Sequence, residues 1–215
     1  IVFHLLPSAI CHRNIKCYLG RGVVVSLEAL FKEIEEAADV IGNIEDRLVV
    51  SSACSLIQPY HIKLDQLREQ SLTSTKIGTT GRGIGTAYED RVGRRSIRVS
   101  DLYNPLRLSS KLDEALELYN SIFKHSFNAA ELDKNQLMDE NLTYAEKLKP
   151  YVGNVIQEVR DLQDGNKKIL FEGAQGALLD VSLGTYPFVT SSNSSVGGIA
   201  SGVGISPMDL DYSLG

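Results

Sequence analysis

Three glycine-rich stretches hold the residues best suited to chemistry. GTTGRGIG, residues 78–85, places Gly78, Gly81, Gly83 and Gly85 around Arg82. Ordering a glycine costs roughly 0.5–1 kcal/mol more than ordering an alanine in regular structure, so a backbone this permissive implies a close approach that compensates. Backbone N–H groups in such a loop, beside a helix N-terminus near Ala87, form a natural anion cradle, with Thr79 and Thr80 as added hydroxyl donors. FEGAQGALLD, residues 171–180, runs an apolar strand into Gly173–Gly176, where small neighbours leave Gln175 uncovered. Its amide offers one acceptor and two donors, which suits the adjacent N–H and C=O of an oxopurine edge. Ligands of open α/β sheets bind beyond the carboxyl ends of strands. GTYPFVTSSNSSVGG, residues 184–198, presents Thr190, Ser191, Ser192 and Asn193 as neutral donors to a phosphate. Each stretch also has a plainer reading: a flexible turn, a structural glutamine and a linker. The plain role of Arg94, four residues after Asp90, is a surface ion pair.

Other chemistries fit less well. No GK[ST] follows the first loop, and Gly81-Arg-Gly-Ile-Gly85 misses the dinucleotide spacing by one residue. A dinucleotide oxidoreductase would use an acidic residue about 20 positions on; Asp101 stands near that distance, but no strong strand precedes Gly78. No nucleophile, histidine dyad or metal cluster stands out, so no catalytic, cofactor-binding or metal-binding residue is assigned. Hydrophobic residues at 43% and charged residues at 23% fit a globular chain, and no apolar run approaches the roughly 18–20 residues of a membrane span. A net charge of −5 favours neither a nucleic-acid nor a membrane partner. Cys11, Cys17 and Cys54 read as reduced thiols, hence a cytoplasmic protein. Pro7 and the lack of a basic leader set the opening apart from a signal peptide, and the chain looks cut at both ends.

The elements that must position these loops follow from periodicity. IVFHLL and CYLGRGVVV read as strands. Ser26 caps a predicted helix with Leu27, Leu30, Phe31, Ile34 and Ala38 on one face, and DRLVVSS, residues 46–52, reads as a buried strand. Strand, helix and strand in succession predict an α/β fold with a parallel sheet. Pro59 opens a second helix to about Gln70, with Tyr60, Leu64 and Leu67 on one face. Residues 110–162 are almost wholly helical in pattern, with one stripe from Leu112 to Phe123 and another from Val152 to Val159. ILFEG reads as a buried strand.

HLLPSAI, KIGTTGRGIGTAYEDRVGRR, ILFEGAQGALLD and GTYPFVTSSNSSVGG, in this order and at these separations, closely resemble adenylosuccinate synthetase. The resemblance covers essentially the whole chain and about half of a family member. It implies an α/β fold, the mainly parallel sheet of a P-loop-NTPase-like synthetase with an inserted helical subdomain, truncated at both ends. The implied division is an α/β core portion at 1–109, a helical subdomain at 110–165 and a return to the core at 166–215. The implied activity is GTP-dependent ligation of IMP and L-aspartate, with Mg2+, in AMP biosynthesis: GTP phosphorylates the purine O6, and the aspartate amine displaces phosphate.

By that resemblance Thr80 and Thr190 match residues that bind the IMP phosphate, and Gln175 matches the glutamine on the hypoxanthine edge. Arg94 matches an arginine that reaches the IMP of the neighbouring subunit in a homodimer. The family's GDEGKGK loop and NAGH segment would precede this chain, and its aspartate loop and guanine-recognition segment would follow it, so the chain alone is expected to be inactive. The alternative is an inert IMP-binding or dimerisation module. Thr86 stands where the family usually has proline, Arg21 where it has asparagine, and SPMDLDY lacks a common arginine.

Overall fold

The computed structural model describes residues 2–71 and 78–214, in two compact units. Lys76 and Ile77 of the first glycine motif lie outside the described residues.

The first unit comprises Ile1–Val23, Ala29–Cys54 and Tyr151–Gly215. Its sheet has the order β1 (Cys17–Leu19), β3 (Leu48–Ser51), β5 (Val152–Gly153), all parallel, with Leu19 opposite Val50 and Val50 opposite Val152. The predicted α/β class with parallel pairing is borne out. β3 is buried along its whole length, as expected of a central parallel strand. Helix α1 (Leu27–Ile41) buries Leu30, Ala37 and Ile41. The apolar stripe passes through Ala37, while the expected Ala38 is exposed. After β5, helix α6 (Val155–Asp164) packs Val155 and Val159 against Val49, and Gly153 is required there because a Cβ would meet Val49 Cγ1 at 2.5 Å.

Two expected strands of this unit do not form. Of IVFHLL, the described residues 2–6 are not in the sheet: the Glu33 carboxylate takes the backbone N–H groups of His4, Leu5 and Leu6 at 2.7–3.1 Å, and these are the donors a ladder would need. ILFEG forms no strand and pairs with no ladder among the described residues. Ile169 and Phe171 pack on the Val49 cluster, Leu170 is exposed, and Glu172 accepts from the N–H and hydroxyl of Ser8. The CYLGRGVVV run is also interrupted. Gly22 donates to Gly202 O at 2.9 Å, and a Cβ on Gly20 would meet that same oxygen at 2.8 Å.

The second unit comprises Val24–Glu28 and Ser55–Pro150. β2 (Val24–Val25) pairs in parallel with β4 (Ser55–Leu56). Helix α2 (Pro59–Ser71) starts at proline as expected, since the missing N–H of a first-turn proline has no helical partner to lose. Helix α3 (Ile84–Val92) follows, then the contacting pair α4 (Pro105–Phe127) and α5 (Lys134–Leu148). Asn104 and Asp133 cap the last two by accepting from Arg107 and Gln136 N–H. The core stacks Tyr60 on Tyr119 at 4.5 Å between ring centroids, above Phe123, Leu112 and Leu116. Gln58 and Asn141, both buried, exchange two amide hydrogen bonds of 2.8 and 2.9 Å, and Asn141 also donates to Leu137 O at 2.7 Å.

Candidate functional site

In the second unit, helix α2 grips the first glycine loop at three points. Gly83 N–H donates to Asp65 Oδ2 at 3.0 Å, Gln66 Nε2 donates to Gly81 O at 3.2 Å, and Gly78 N–H donates to Glu69 Oε1 at 3.0 Å. Gly83 itself has φ +73°, and a Cβ there would lie 2.7 Å from Ile62 N, so the loop backbone rests directly on the first turns of α2. The α3 helix then begins at Ile84 rather than near Ala87. Carboxylates of this chain already take two of the loop's N–H donors, which narrows the expected anion cradle. Gly81 N–H is directed at Thr79 Oγ1, whereas the exposed Thr80 hydroxyl makes no hydrogen bond among the described residues. Thr86, which the resemblance sets against a proline, donates to His61 O at 2.9 Å and lies 3.1 Å from Gly83 O. A proline could make neither bond.

Beneath the loop lies a buried polar network. His61 Nδ1 accepts the Gln58 N–H at 3.0 Å, so the proton sits on Nε2, which donates to Asp90 Oδ2 at 3.0 Å. Burial pushes the His61 imidazole below its ordinary value, so the neutral ring is favoured. Burial acts upward on Asp90, but hydrogen bonds from His61 and Arg95 outweigh it and hold this carboxyl below the usual range. Arg95, not Arg94, pairs with Asp90, at 2.9 Å. The expected Asp90–Arg94 ion pair is therefore replaced. The α3 helix ends with Arg94 in the left-handed region, φ +62°, while Arg95 N–H returns to Asp90 O at 2.9 Å, and this turn sends the Arg94 side chain outward. Thr80 and Arg94 stand at opposite ends of α3, a helix roughly 13 Å long at 1.5 Å per residue. Asp101, on which the dinucleotide reading depended, is buried. It is engaged by Lys111 Nζ at 2.6 Å, by Arg107 Nε at 3.0 Å in an unaligned ion pair, and by Arg98 N–H. It is not presented to a ribose.

In the first unit the structure draws Gln175 and Thr190 into one assembly of loops. Asp180, fully buried, accepts four backbone N–H groups: Ser182 and Leu183 on Oδ1 at 2.8 and 3.1 Å, Ser194 and Ser195 on Oδ2 at 2.7 and 2.9 Å. These donors, led by Ser195 and Ser182, hold its carboxyl far below the usual range. Ser194 Oγ donates to Gly176 O at 2.8 Å, and Thr190 N–H donates to Leu179 O at 2.8 Å. Gly184 is packed so closely that a Cβ would collide with Leu178 O. Gln175 is exposed, with φ +69°. Its carboxamide and the half-buried Thr190 hydroxyl make no hydrogen bond among the described residues. Asn193 Nδ2 reaches Ser182 Oγ at 3.3 Å and so serves the loop itself.

Among the described residues four non-glycine residues have positive φ: Arg94, Asn128, Asn166 and Gln175. Asparagine adopts this region readily and arginine or glutamine does not. The two unusual cases are both residues that the sequence singles out, and local backbone strain concentrates at functional sites. Asp65 and Asp180 were not singled out. Asp180 had a signal, an aspartate two residues before a serine at the end of an apolar run, the pattern of an Asx turn. Asp65 had none. Among the described residues no group of three or more His, Cys, Asp or Glu side chains could hold a metal ion, and no helix is long and apolar enough to cross a membrane.

Parallel strands, helical connections and tightly tied glycine loops that present polar side chains define an α/β protein with loops built for polar contact. The family model for adenylosuccinate synthetase matches residues 1–215, and the chain belongs to that family. It is 48% identical to the adenylosuccinate synthetase of Hahella chejuensis and 47% identical to that of Azotobacter vinelandii, in each case over 214 residues, all of this chain and 50% of the relative. The fully ligated adenylosuccinate synthetase from Plasmodium falciparum superposes with TM-score 0.85 at 34% identity, covering 97% of this chain and 48% of that one. A cyanophage S-2L succinoaminodeoxyadenylate synthetase, at TM-score 0.58 and 21% identity, shares the fold. The chain spans about half the length of the curated relatives it matches.

Proposed function

We propose that the chain serves an adenylosuccinate synthetase, a cytoplasmic ligase that joins IMP to L-aspartate with GTP, and that its own contribution is to bind IMP. In this reading Gln175 pairs with the N–H and C=O edge of hypoxanthine, and the hydroxyls of Thr80 and Thr190 contact the phosphate. Arg94 reaches the IMP of a second copy in a homodimer. The observation that carries the proposal is Gln175: a strained, exposed backbone holds out a carboxamide with no internal partner, on a loop fixed from below. Arg94 has the same two properties, strain and exposure, at the end of α3.

The family reading brings Mg2+ with it. Among the described residues no three His, Cys, Asp or Glu side chains gather as ligands, and the loop carboxylates Asp65 and Asp180 are spent on backbone N–H groups, so the residues present do not fit that ion and no step is derived through it. In the proposed reaction, phosphate from GTP activates the purine O6 and the amine of aspartate displaces it, so positioning and charge stabilisation do most of the work. A second reading for the chain by itself is an IMP-binding or dimerisation module without chemistry, which rests on the same exposed Gln175 and Arg94.

Separate titrations of IMP and GTP into the chain, together with a coupled assay for adenylosuccinate, test both readings. Saturable IMP binding is the expected result. Binding of GTP but not IMP would overturn the assignment of these loops, and GTP-dependent adenylosuccinate formation would set aside the inert-module reading.

A further inference from the structure

Gln175 and Thr190 sit on separate loops, and neither side chain takes part in holding those loops together. The fixing is done elsewhere. One carboxylate, from Asp180, receives two N–H groups on each oxygen, from Ser182 and Leu183 on one side and from Ser194 and Ser195 on the other. It has no exposed surface, and no cation is paired with it among the described residues. Its charge is compensated mainly by backbone amides, with the Ser195 side chain adding to them, an arrangement that holds only while these donors point inward. Around it, Ser194 Oγ closes on Gly176 O, the residue next to Gln175, and Val181 N–H closes on Ser192 O at 3.2 Å.

We infer that Asp180 is a positioning residue that fixes the Gln175 loop and the Thr190 loop at one separation, so that the base and the phosphate of a single nucleotide are read together. This rests on the IMP reading above and extends it to a residue that touches no part of the ligand. The physical content is an effective concentration: once the base is seated on one loop, the phosphate meets the other without further search, provided the spacing is held. A carboxylate suits the task better than its amide. Asp180→Asn turns one acceptor into an NH2 donor facing two N–H donors, which releases one loop while leaving side-chain volume almost unchanged.

The experiment is calorimetric titration of the chain and its variants with IMP and with inosine, which has the base and ribose but no phosphate. The wild-type chain should prefer IMP to inosine. Asp180→Asn should lower IMP affinity by about tenfold or more while inosine affinity changes by less than about threefold, so that the preference collapses. Ser194→Ala, which keeps the buried carboxylate and removes only the hydroxyl tie to Gly176, should shift the preference in the same direction by a smaller factor. That variant decides the matter should Asp180→Asn fail to fold. Equal losses for IMP and inosine would show a merely structural carboxylate and overturn the inference, as would an unchanged preference in folded variants. A wild-type chain that binds neither compound would remove the IMP reading itself, and this inference with it.

Discussion

His61 donates its Nε2–H to Asp90 Oδ2 across 3.0 Å while its Nδ1 accepts the Gln58 N–H, and both side chains are sealed from solvent. Burial lowers the histidine's pKa below its ordinary value of about 6.5. The unfolded chain therefore takes up a proton as pH falls through about 6.5 while the folded chain does not, so this contribution to stability is complete above that pH and declines below it. Asp90, whose pKa is also lowered, contributes above about pH 4 and is lost only in stronger acid. Urea midpoints measured from about pH 8 to 5 should fall below about pH 6.5. A midpoint that rises on acidification would contradict the neutral, buried imidazole.

Gly83 combines φ +73° with a contact that leaves no room for a Cβ, 2.7 Å from Ile62 N. Gly83→Ala is expected to lose about 1–3 kcal/mol in denaturant unfolding, because both backbone strain and the seat on α2 are affected. Gly78 is also left-handed, φ +79°, but has open space around it. Gly78→Ala should cost about 1 kcal/mol. Equal losses at the two sites would show that the close approach to α2 contributes nothing.

At Gln175 stability and binding should move in opposite directions. Gln175→Gly relieves a left-handed residue and should stabilise the chain by up to about 1 kcal/mol, while IMP binding weakens by about 1–3 kcal/mol for the lost amide. Gln175→Ala should weaken binding similarly without that stabilisation. Thermal melts and titrations on the same samples check this, and unchanged IMP affinity in both variants would remove Gln175 from the site.

Arg94 forms no ion pair with Asp90, so Arg94→Leu should leave the unfolding free energy of the chain within about 0.5 kcal/mol of wild type. If the outward side chain serves a second copy, IMP affinity in the substituted chain should fall only at concentrations where dimers form, as followed by analytical ultracentrifugation. An equal loss in dilute monomer would refute the shared site.

Much of the framework was legible because periodicity reports burial. The stripe Leu112, Ala115, Leu116, Tyr119 and Phe123 is buried as predicted, and Pro59 marks the first residue of α2. Strand expectations fared worse at IVFHLL, since apolar composition does not reveal which backbone donors a remote carboxylate will claim, here Glu33, and at ILFEG, whose Ile169 and Phe171 reach the Val49 cluster without a ladder partner among the described residues. The candidate residues Gln175 and Arg94 were legible as side chains, but not their left-handed backbones, which a glutamine or an arginine does not advertise. Asp65 and Asp180 were hidden for a related reason: a carboxylate that organises a loop looks in sequence like any surface acid, and only burial separates them.

The Gln58–Asn141 exchange has a consequence for the helical hairpin formed by α4 and α5. Greasy contacts tolerate sliding, since one leucine substitutes for the next at modest loss. Two amides that satisfy each other do not, because displacing α5 by a single turn would strand donors and acceptors in a dry interior. The hairpin thus has a chemical address on the start of α2, and the helix that carries the glycine loop inherits its placement from a residue more than eighty positions downstream.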